Sequence, residues 1–484
     1  MSKYFLGIDI GTQGARVVLM SDEGTISGQS EAVFVLNDSS RQEQSPELWW
    51  KHCQDCIKEI RAKATDIDWN QLVAVGVTST SGTVIPLDQR HQPLHAAIMY
   101  SDPRSGEEAK RCTEAAASRP HGGQQVFGAS TGLAKMVWYV TNFPEQLKRL
   151  ARWVHAADYI TGKLSGRWDM TDYTNAYKSG YDVINFEWPE YLFAELPLKK
   201  EWLPDVVPSG TVMGTIDPAV AEDLGLPATL KVTVGLTDGC ASQVASGAIN
   251  PGDWNTTIGT TMVIKGVTEK EVVDEQGRIY SHRHPAGYWM PGGASNTGAD
   301  WVTNEFGANL AHFNEAAAKL MPTSLISYPL RQQGERFPMM APAAQGFEPE
   351  GLSAEEKFTA NLEGVAYLER YAYELISHLS GEKVRAVYSA GGGSSSAVWL
   401  RIRSNVLDLP IIKMKEVSGA VGAAISAASF TGFASIMEAV AAMTSKDVEV
   451  HPEPELSAYY NQQYKRFLQE MEGRNYIKST EIYA

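Results

Sequence analysis

One short pattern occurs twice, half a chain apart, and it restricts the fold more than any other feature of the sequence. Residues 8–12 read Ile-Asp-Ile-Gly-Thr and residues 256–260 read Thr-Thr-Ile-Gly-Thr. Each copy places Ile-Gly-Thr at a turn between β-type runs. Tyr4–Ile10 and Ala15–Ser21 flank the first turn, and Asn255–Ile258 and Met262–Val267 flank the second. Apolar, β-branched runs around a glycine turn read as hairpins. A duplicated α/β domain produces this arrangement, with one phosphate-binding hairpin from each half facing a shared cleft.

The segments between the hairpins fit that reading. A third strand is expected near Ile26–Leu36. Pro46–Lys63 reads as a helix, with Pro in the first turn and Trp49, Cys53, Cys56 and Ile60 at three- and four-residue spacing. Leu72–Thr78 and Leu230–Leu236 are apolar runs suited to strands buried on both faces. In the second half, Val384–Tyr388 leads into Ala390-Gly-Gly-Gly-Ser-Ser-Ser396 and then a helix over Ala397–Val406. The chain of 484 residues carries no low-complexity linker. We expect two domains, 1–248 and 249–484.

Composition removes several function classes. The net charge of −15 argues against a nucleic-acid partner, because such binding needs a basic face to displace counterions. Four cysteines are too few for a disulfide framework, and Cys53-x-x-Cys56 has no second pair to complete a metal site. Val417–Met437 is uncharged, but Gly, Ala and Ser dominate it and Gly432 interrupts it. It reads as a close-packed buried helix followed by a break, not as a membrane span. The N-terminus enters a strand directly, with no signal-peptide pattern, so the cytoplasm is the expected compartment.

Several stretches, taken in order, resemble the FGGY carbohydrate kinases of the actin/hexokinase/Hsp70-like superfamily. Gly7-Ile-Asp-Ile-Gly-Thr-Gln-Gly-Ala-Arg16 resembles the family's first phosphate motif, and Tyr100-Ser-Asp-Pro-Arg104 its aromatic-x-Asp-x-Arg segment. Ser130–Trp138 and Asp172-Tyr-Thr-Asn-Ala176 resemble two further N-domain signatures. Gly235-Leu-Thr-Asp-Gly239 is similar to the catalytic-aspartate segment, and Gly259-Thr260-Thr261 to the second phosphate motif. Gly391-Gly-Gly-Ser394 resembles the adenosine motif, and Ser418–Ala424 the helix after it. The resemblance implies two actin-like (RNase H-like) α/β domains with a cleft between them. It also implies an ATP- and Mg2+-dependent transfer of the γ-phosphoryl group to a sugar hydroxyl. Dimerisation is common in the family, so a homodimer is allowed, although no stretch identifies an interface.

The chemistry of the residues agrees with those roles. Asp238 closes a buried strand at its C-terminal end, where open α/β folds present functional groups. It is the expected general base, and by resemblance it also touches the sugar; helix capping is its bland alternative. Asp9 is a carboxylate inside an apolar strand, which is expensive without a partner. It is expected near Mg2+ and the sugar, since Mg2+ takes one or two carboxylates with phosphate oxygens. Gly11, Thr12 and Gln13 are expected at the transferring phosphoryl group. Gly259, Thr260 and Thr261 are expected at the ATP phosphates, and Gly391, Gly392 and Gly393 at the nucleoside. No P-loop lysine motif is present. His282 and His284 would share a strand face, but without a third ligand they read as ordinary polar residues.

The loop Thr80-Ser81-Gly82-Thr83 bears on the sugar. Glycerol kinases carry an Arg-Glu pair at the positions of Ser81 and Gly82, so glycerol is not expected. The loop resembles the D-ribulokinase-like branch of pentulose kinases more than the xylulokinase loop. By that resemblance Asp9, Thr12, Ser81 and Asp238 surround the sugar. D-Ribulose is the first expectation, and D-xylulose or a related pentulose or pentitol the second. An actin- or Hsp70-like ATPase and an inactive sugar-binding regulator are the rival classes.

Overall fold

A computed structural model of the chain describes residues 2–117 and 126–483. They form two compact units. The first contains Met1–Ala245, Pro285–Gly287 and Glu416–Ser445; the second contains Ser246–His284, Tyr288–Lys415 and Lys446–Ala484.

The first unit is built on a seven-stranded sheet. Its strands are β1 (Tyr4–Ile10), β2 (Gly14–Ser21), β3 (Ile26–Val33), β4 (Leu72–Ser79), β5 (Val212–Thr215), β6 (Lys231–Thr233) and β7 (Leu236–Thr237). They run in the order β5-β6-β4-β1-β2-β3, with β7 beside the end of β4. β1 to β3 form an antiparallel meander, whereas β4 lies parallel to β1. The helix Pro46–Lys63 begins where its spacing predicts. Ser45 caps it, and Trp49, Cys53, Cys56, Ile57 and Ile60 enter the core.

The single strand expected over Leu230–Leu236 is broken. The N–H of Val234 donates to Thr211 O, and its carbonyl accepts from Gly210 N–H, so residue 234 leaves the ladder. At Gly235 a Cβ would lie 2.3 Å from Val77 O, which requires glycine at this crossing. The break turns β7 so that its two residues pair with Thr78 and Ser79.

The second unit repeats the theme. Its seven-stranded sheet comprises β8 (Asp253–Ile258), β9 (Met262–Gly266), β10 (Tyr280–Arg283), β11 (Trp289–Ala294), β12 (Ala386–Ala390), β13 (Ile411–Met414) and β14 (Lys446–Val450). β8 and β9 form the second hairpin, and β12 lies parallel to β8 as β4 does to β1. The long helix Ala354–Ser380 closes one face. Its N-terminus carries a Ser353/Glu356 capping box and its C-terminus a left-handed Gly381.

Neither unit is one continuous stretch of chain: Pro285–Gly287 and, as the largest excursion, Glu416–Ser445 pack into the first unit. The helix Gly419–Ala428 is the reason for the latter. All ten of its residues are buried. A Cβ on Gly7 would lie 1.8 Å from Ala420 O, one on Gly76 2.4 Å from Ala423 O, and one on Gly422 2.0 Å from Ala241 O. Backbone meets backbone here, which only a small-residue helix permits. A short second helix, Ile436–Met443, follows the break. No helix among the described residues is long and apolar enough to cross a membrane.

Candidate active site

Asp9 sits in the middle of the first sheet, in register with Arg16 on β2 and Thr78 on β4. Its Oδ1 is buried and has no hydrogen-bond partner among the described residues. Its Oδ2 lies against the start of the helix Gly419–Ala428, where a Cβ on Gly419 would approach it to 2.6 Å. Burial, and then the negative charge of Asp238, push the Asp9 carboxyl up to about 7; Arg16 opposes the shift. An orphaned, hard oxygen ligand beside a second carboxylate suits a divalent cation.

A carboxyl with a raised folded-state pKa stabilises the fold through its protonated form. That contribution is complete below the unfolded value near 4 and is lost as pH rises through about 7. Asp9→Asn is therefore expected to melt higher than the parent at pH 8, with the gap shrinking towards pH 5. Thermal melts of nucleotide-free protein in a chelator check this, and a gap independent of pH would contradict it.

Asp238 opens the helix Asp238–Ala245 directly after β7. Its Oδ1 accepts the N–H of Gly239 at 2.7 Å. Since β1 and β7 both pair with β4, the two carboxylates flank the C-terminal end of one buried strand.

The first hairpin turn is closed by the Gly11 N–H, which donates to Gly14 O at 3.0 Å. That amide is therefore committed to the turn. Thr12 Oγ1 reaches Tyr100 Oη at 3.4 Å, and Gln44 Nε2 donates to Thr12 O at 3.0 Å. A cavity of about 730 Å3 opens beside the turn, walled in part by Asp9, Gly11, Thr12, Gln13, Arg16 and Tyr100. Ser81 and Asp238 are outside its walls.

The loop after β4 is tied to the same region. Thr80 N–H donates to Ile10 O, the Thr80 and Thr83 hydroxyls meet at 2.8 Å, and Tyr100 N–H donates to Thr83 Oγ1. Ser81 Oγ is buried and, among the described residues, has no partner. Gly82 has φ +82°, and a Cβ there would lie 2.3 Å from Ser130 O. A side chain at 82 would meet that backbone oxygen, so the loop keeps glycine here.

In the second unit, Gly259 N–H closes its hairpin turn on Thr261 O, and Ala299 N–H donates to Gly259 O. A cavity of about 520 Å3 lies beside it, bounded by Gly259, Thr260, Asp300, Asn314, Gly392 and Gly393, among others. That volume suits a small organic ligand. Thr261 and Gly391 do not line it. Gly391 instead serves the backbone, with φ +78° and a prospective Cβ 2.6 Å from Ile258 O. Beneath this loop Arg403 makes a fully buried two-pronged ion pair with Glu369 at 2.7 Å and donates to Ser389 Oγ on β12.

Lys265 Nζ meets His282 Nδ1 at 3.0 Å. Among the described residues, no group of three or more His, Cys, Asp or Glu side chains is arranged to hold a metal.

Sequence reasoning missed several neighbours of these sites. Gly419 stands in a quoted stretch, but nothing local places it against Asp9. Tyr100 also stands in a quoted stretch, and its contact with Thr12 spans 88 residues. Asp300 opens the short helix Asp300–Phe306 and belongs to none of the motifs above. Asn314 lies in an ordinary amphipathic helix and carries no sequence signal.

The N-terminal domain of the FGGY family of carbohydrate kinases matches residues 4–245, and its C-terminal domain matches residues 254–430. The chain belongs to the FGGY family of carbohydrate kinases. It is accordingly a sugar kinase with two actin-like α/β domains. A gluconokinase of Bacillus licheniformis is 25% identical, the alignment covering 97% of this chain and 95% of the relative. A xylulose kinase of Bacillus subtilis is 25% identical, over 90% of each chain. Among solved structures, a xylulose kinase from Rhodospirillum rubrum superposes with a TM-score of 0.84 at 25% identity, covering 97% of this chain and 98% of that one.

Proposed function

We propose that this FGGY kinase transfers the γ-phosphoryl group of ATP to the terminal hydroxyl of a pentulose, with D-ribulose as the first candidate. The observation that carries a polyhydroxylated acceptor is the pair of buried, unpartnered oxygens, Asp9 Oδ1 and Ser81 Oγ, at the ends of adjacent strands. Buried polar atoms are normally paired, and sugar hydroxyls supply such partners.

In this reading Asp238 accepts the proton of the attacking hydroxyl. The sugar oxygen forms a bond to the γ-phosphorus, the bond from phosphorus to the β–γ bridging oxygen breaks, and ADP leaves. Thr12 and the Gln13 amide hold phosphoryl oxygens. Gly259 and Thr260 hold the ATP phosphates, and Gly392 and Gly393 give the nucleoside close access to the backbone. Asp9, with phosphate oxygens, would hold Mg2+, whose charge offsets that of the phosphates when bound.

D-Ribulose rests on the Thr80–Thr83 loop. D-Xylulose is the second reading, supported by relatives and structural neighbours named as xylulose kinases. Gluconate enters through the Bacillus licheniformis relative. ADP release with Mg·ATP and D-ribulose, D-xylulose, L-ribulose, L-xylulose, ribitol, xylitol, glycerol and D-gluconate separates them. We expect high turnover with one pentulose and background with glycerol. Turnover on gluconate alone would overturn the pentulose reading.

A further inference from the structure

Immediately before Asp238, the backbone is held by a buried hydrogen-bond relay. Thr237 N–H donates to Thr174 Oγ1 at 2.9 Å. Thr174 Oγ1 donates its own proton to Asp172 Oδ2 at 2.6 Å. Thr174, Asp172 and Thr237 are all buried. Asp172 is itself locked: its Oδ2 also accepts from Thr174 N–H at 2.7 Å and Ser209 Oγ at 2.8 Å, and its Oδ1 from Asn175 N–H at 3.2 Å and Nδ2 at 2.6 Å.

The direction of the relay follows from donor and acceptor chemistry. A carboxylate can only accept, so it takes the Thr174 proton and leaves an oxygen lone pair for Thr237 N–H. From the other side, Thr78 Oγ1 donates to Leu236 O at 2.9 Å. Strand β7 has only two residues, and each has one backbone group clamped by a side chain from another element. A strand this short has little ladder of its own to set where residue 238 emerges.

We infer that Thr174, oriented by Asp172, is a positioning residue that fixes the site from which Asp238 takes the sugar proton. This rests on Asp238 being the base. Placement errors of about 1 Å can lower a rate by about 10²-fold, so the relay acts on kcat and not on ligand affinity.

The test uses the full chain and whichever of D-ribulose, D-xylulose or D-gluconate turns over best. Thr174→Val keeps the shape and removes the acceptor. It is expected to lower kcat roughly 10- to 100-fold, with KM for sugar and Mg·ATP within about twofold of the parent. Thr174→Ser keeps the oxygen and is expected to restore kcat. On the residual turnover of Asp238→Asn, Thr174→Val is expected to have no effect, because it acts through a base already removed. Asp172→Asn is the second variant should Thr174→Val not fold. Its NH2 group must face either Thr174 or the donors of Asn175, so the carboxylate no longer holds the Thr174 hydroxyl in place, and a loss of kcat in the same direction is expected. Unchanged kcat in the folded variants, with Asp238→Asn inactive, overturns the inference alone. Equal losses from Thr174→Val with and without Asp238 also overturn it. Full activity of Asp238→Asn overturns both the inference and the base assignment beneath it.

Discussion

Asp238→Ala is expected to lower kcat by about 10²–10⁴-fold, the range ascribed to a positioned general base, while ATP still binds. The separation follows from where the residues lie. Asp238 belongs to the first unit, whereas the cavity beside Gly259, Thr260 and Gly392 is walled by residues of the second. Removing one carboxylate at the end of β7 leaves that cavity untouched. Steady-state ADP release and equilibrium nucleotide binding on the same preparation read the two quantities. Loss of both together would mean that Asp238 supports the fold and not the proton transfer. Retention of both would return the residue to its bland role, capping the helix it opens.

Gly7→Ala is expected to destabilise the first unit by about 3 kcal/mol or more. The added methyl would lie 1.8 Å from Ala420 O and 2.7 Å from Ala424 N, both backbone atoms of a buried helix. Neither atom can rotate away, so the helix Gly419–Ala428 must lift from β1. That helix also sits on Gly76 and begins against Asp9, so activity is expected to fall with stability. At two to four degrees per kcal/mol for a unit of this size, the melting temperature should drop on the order of 10 °C. Gly106→Ala is the control, because no atom lies within 4 Å of a Cβ built there. Parent-like melting of Gly7→Ala would show that the helix is not seated on β1 as described.

Much of the architecture was legible because it follows from local periodicity. Tyr4–Ile10 and Pro46–Lys63 have the expected bounds, since a strand buried on both faces and a capped amphipathic helix each leave a clear pattern. The strand over Leu230–Leu236 was less legible. Its apolar run continues through Val234, but Gly210 and Thr211 capture that residue's backbone groups, and both are distant in sequence. The small-residue stretch after Val417 was readable as a buried helix. Its destination was not, because glycine and alanine signal close approach without naming the partner.

The candidate site divides in the same way. The sequence by itself determined the repeated hairpins, the two carboxylates, the glycine turns and, through their order, the family. These depend on residue type and spacing, which the chain carries locally. Only the tertiary structure decided that Glu416–Ser445 returns to the first unit and that Gly419 meets Asp9. It also decided that Gly391 serves the backbone while Gly392 borders the cavity, and that Thr174 holds the peptide before Asp238. Those relations join residues tens to hundreds of positions apart. Burial, close backbone approach and hydrogen-bond direction settle them, and these exist only once the chain has folded.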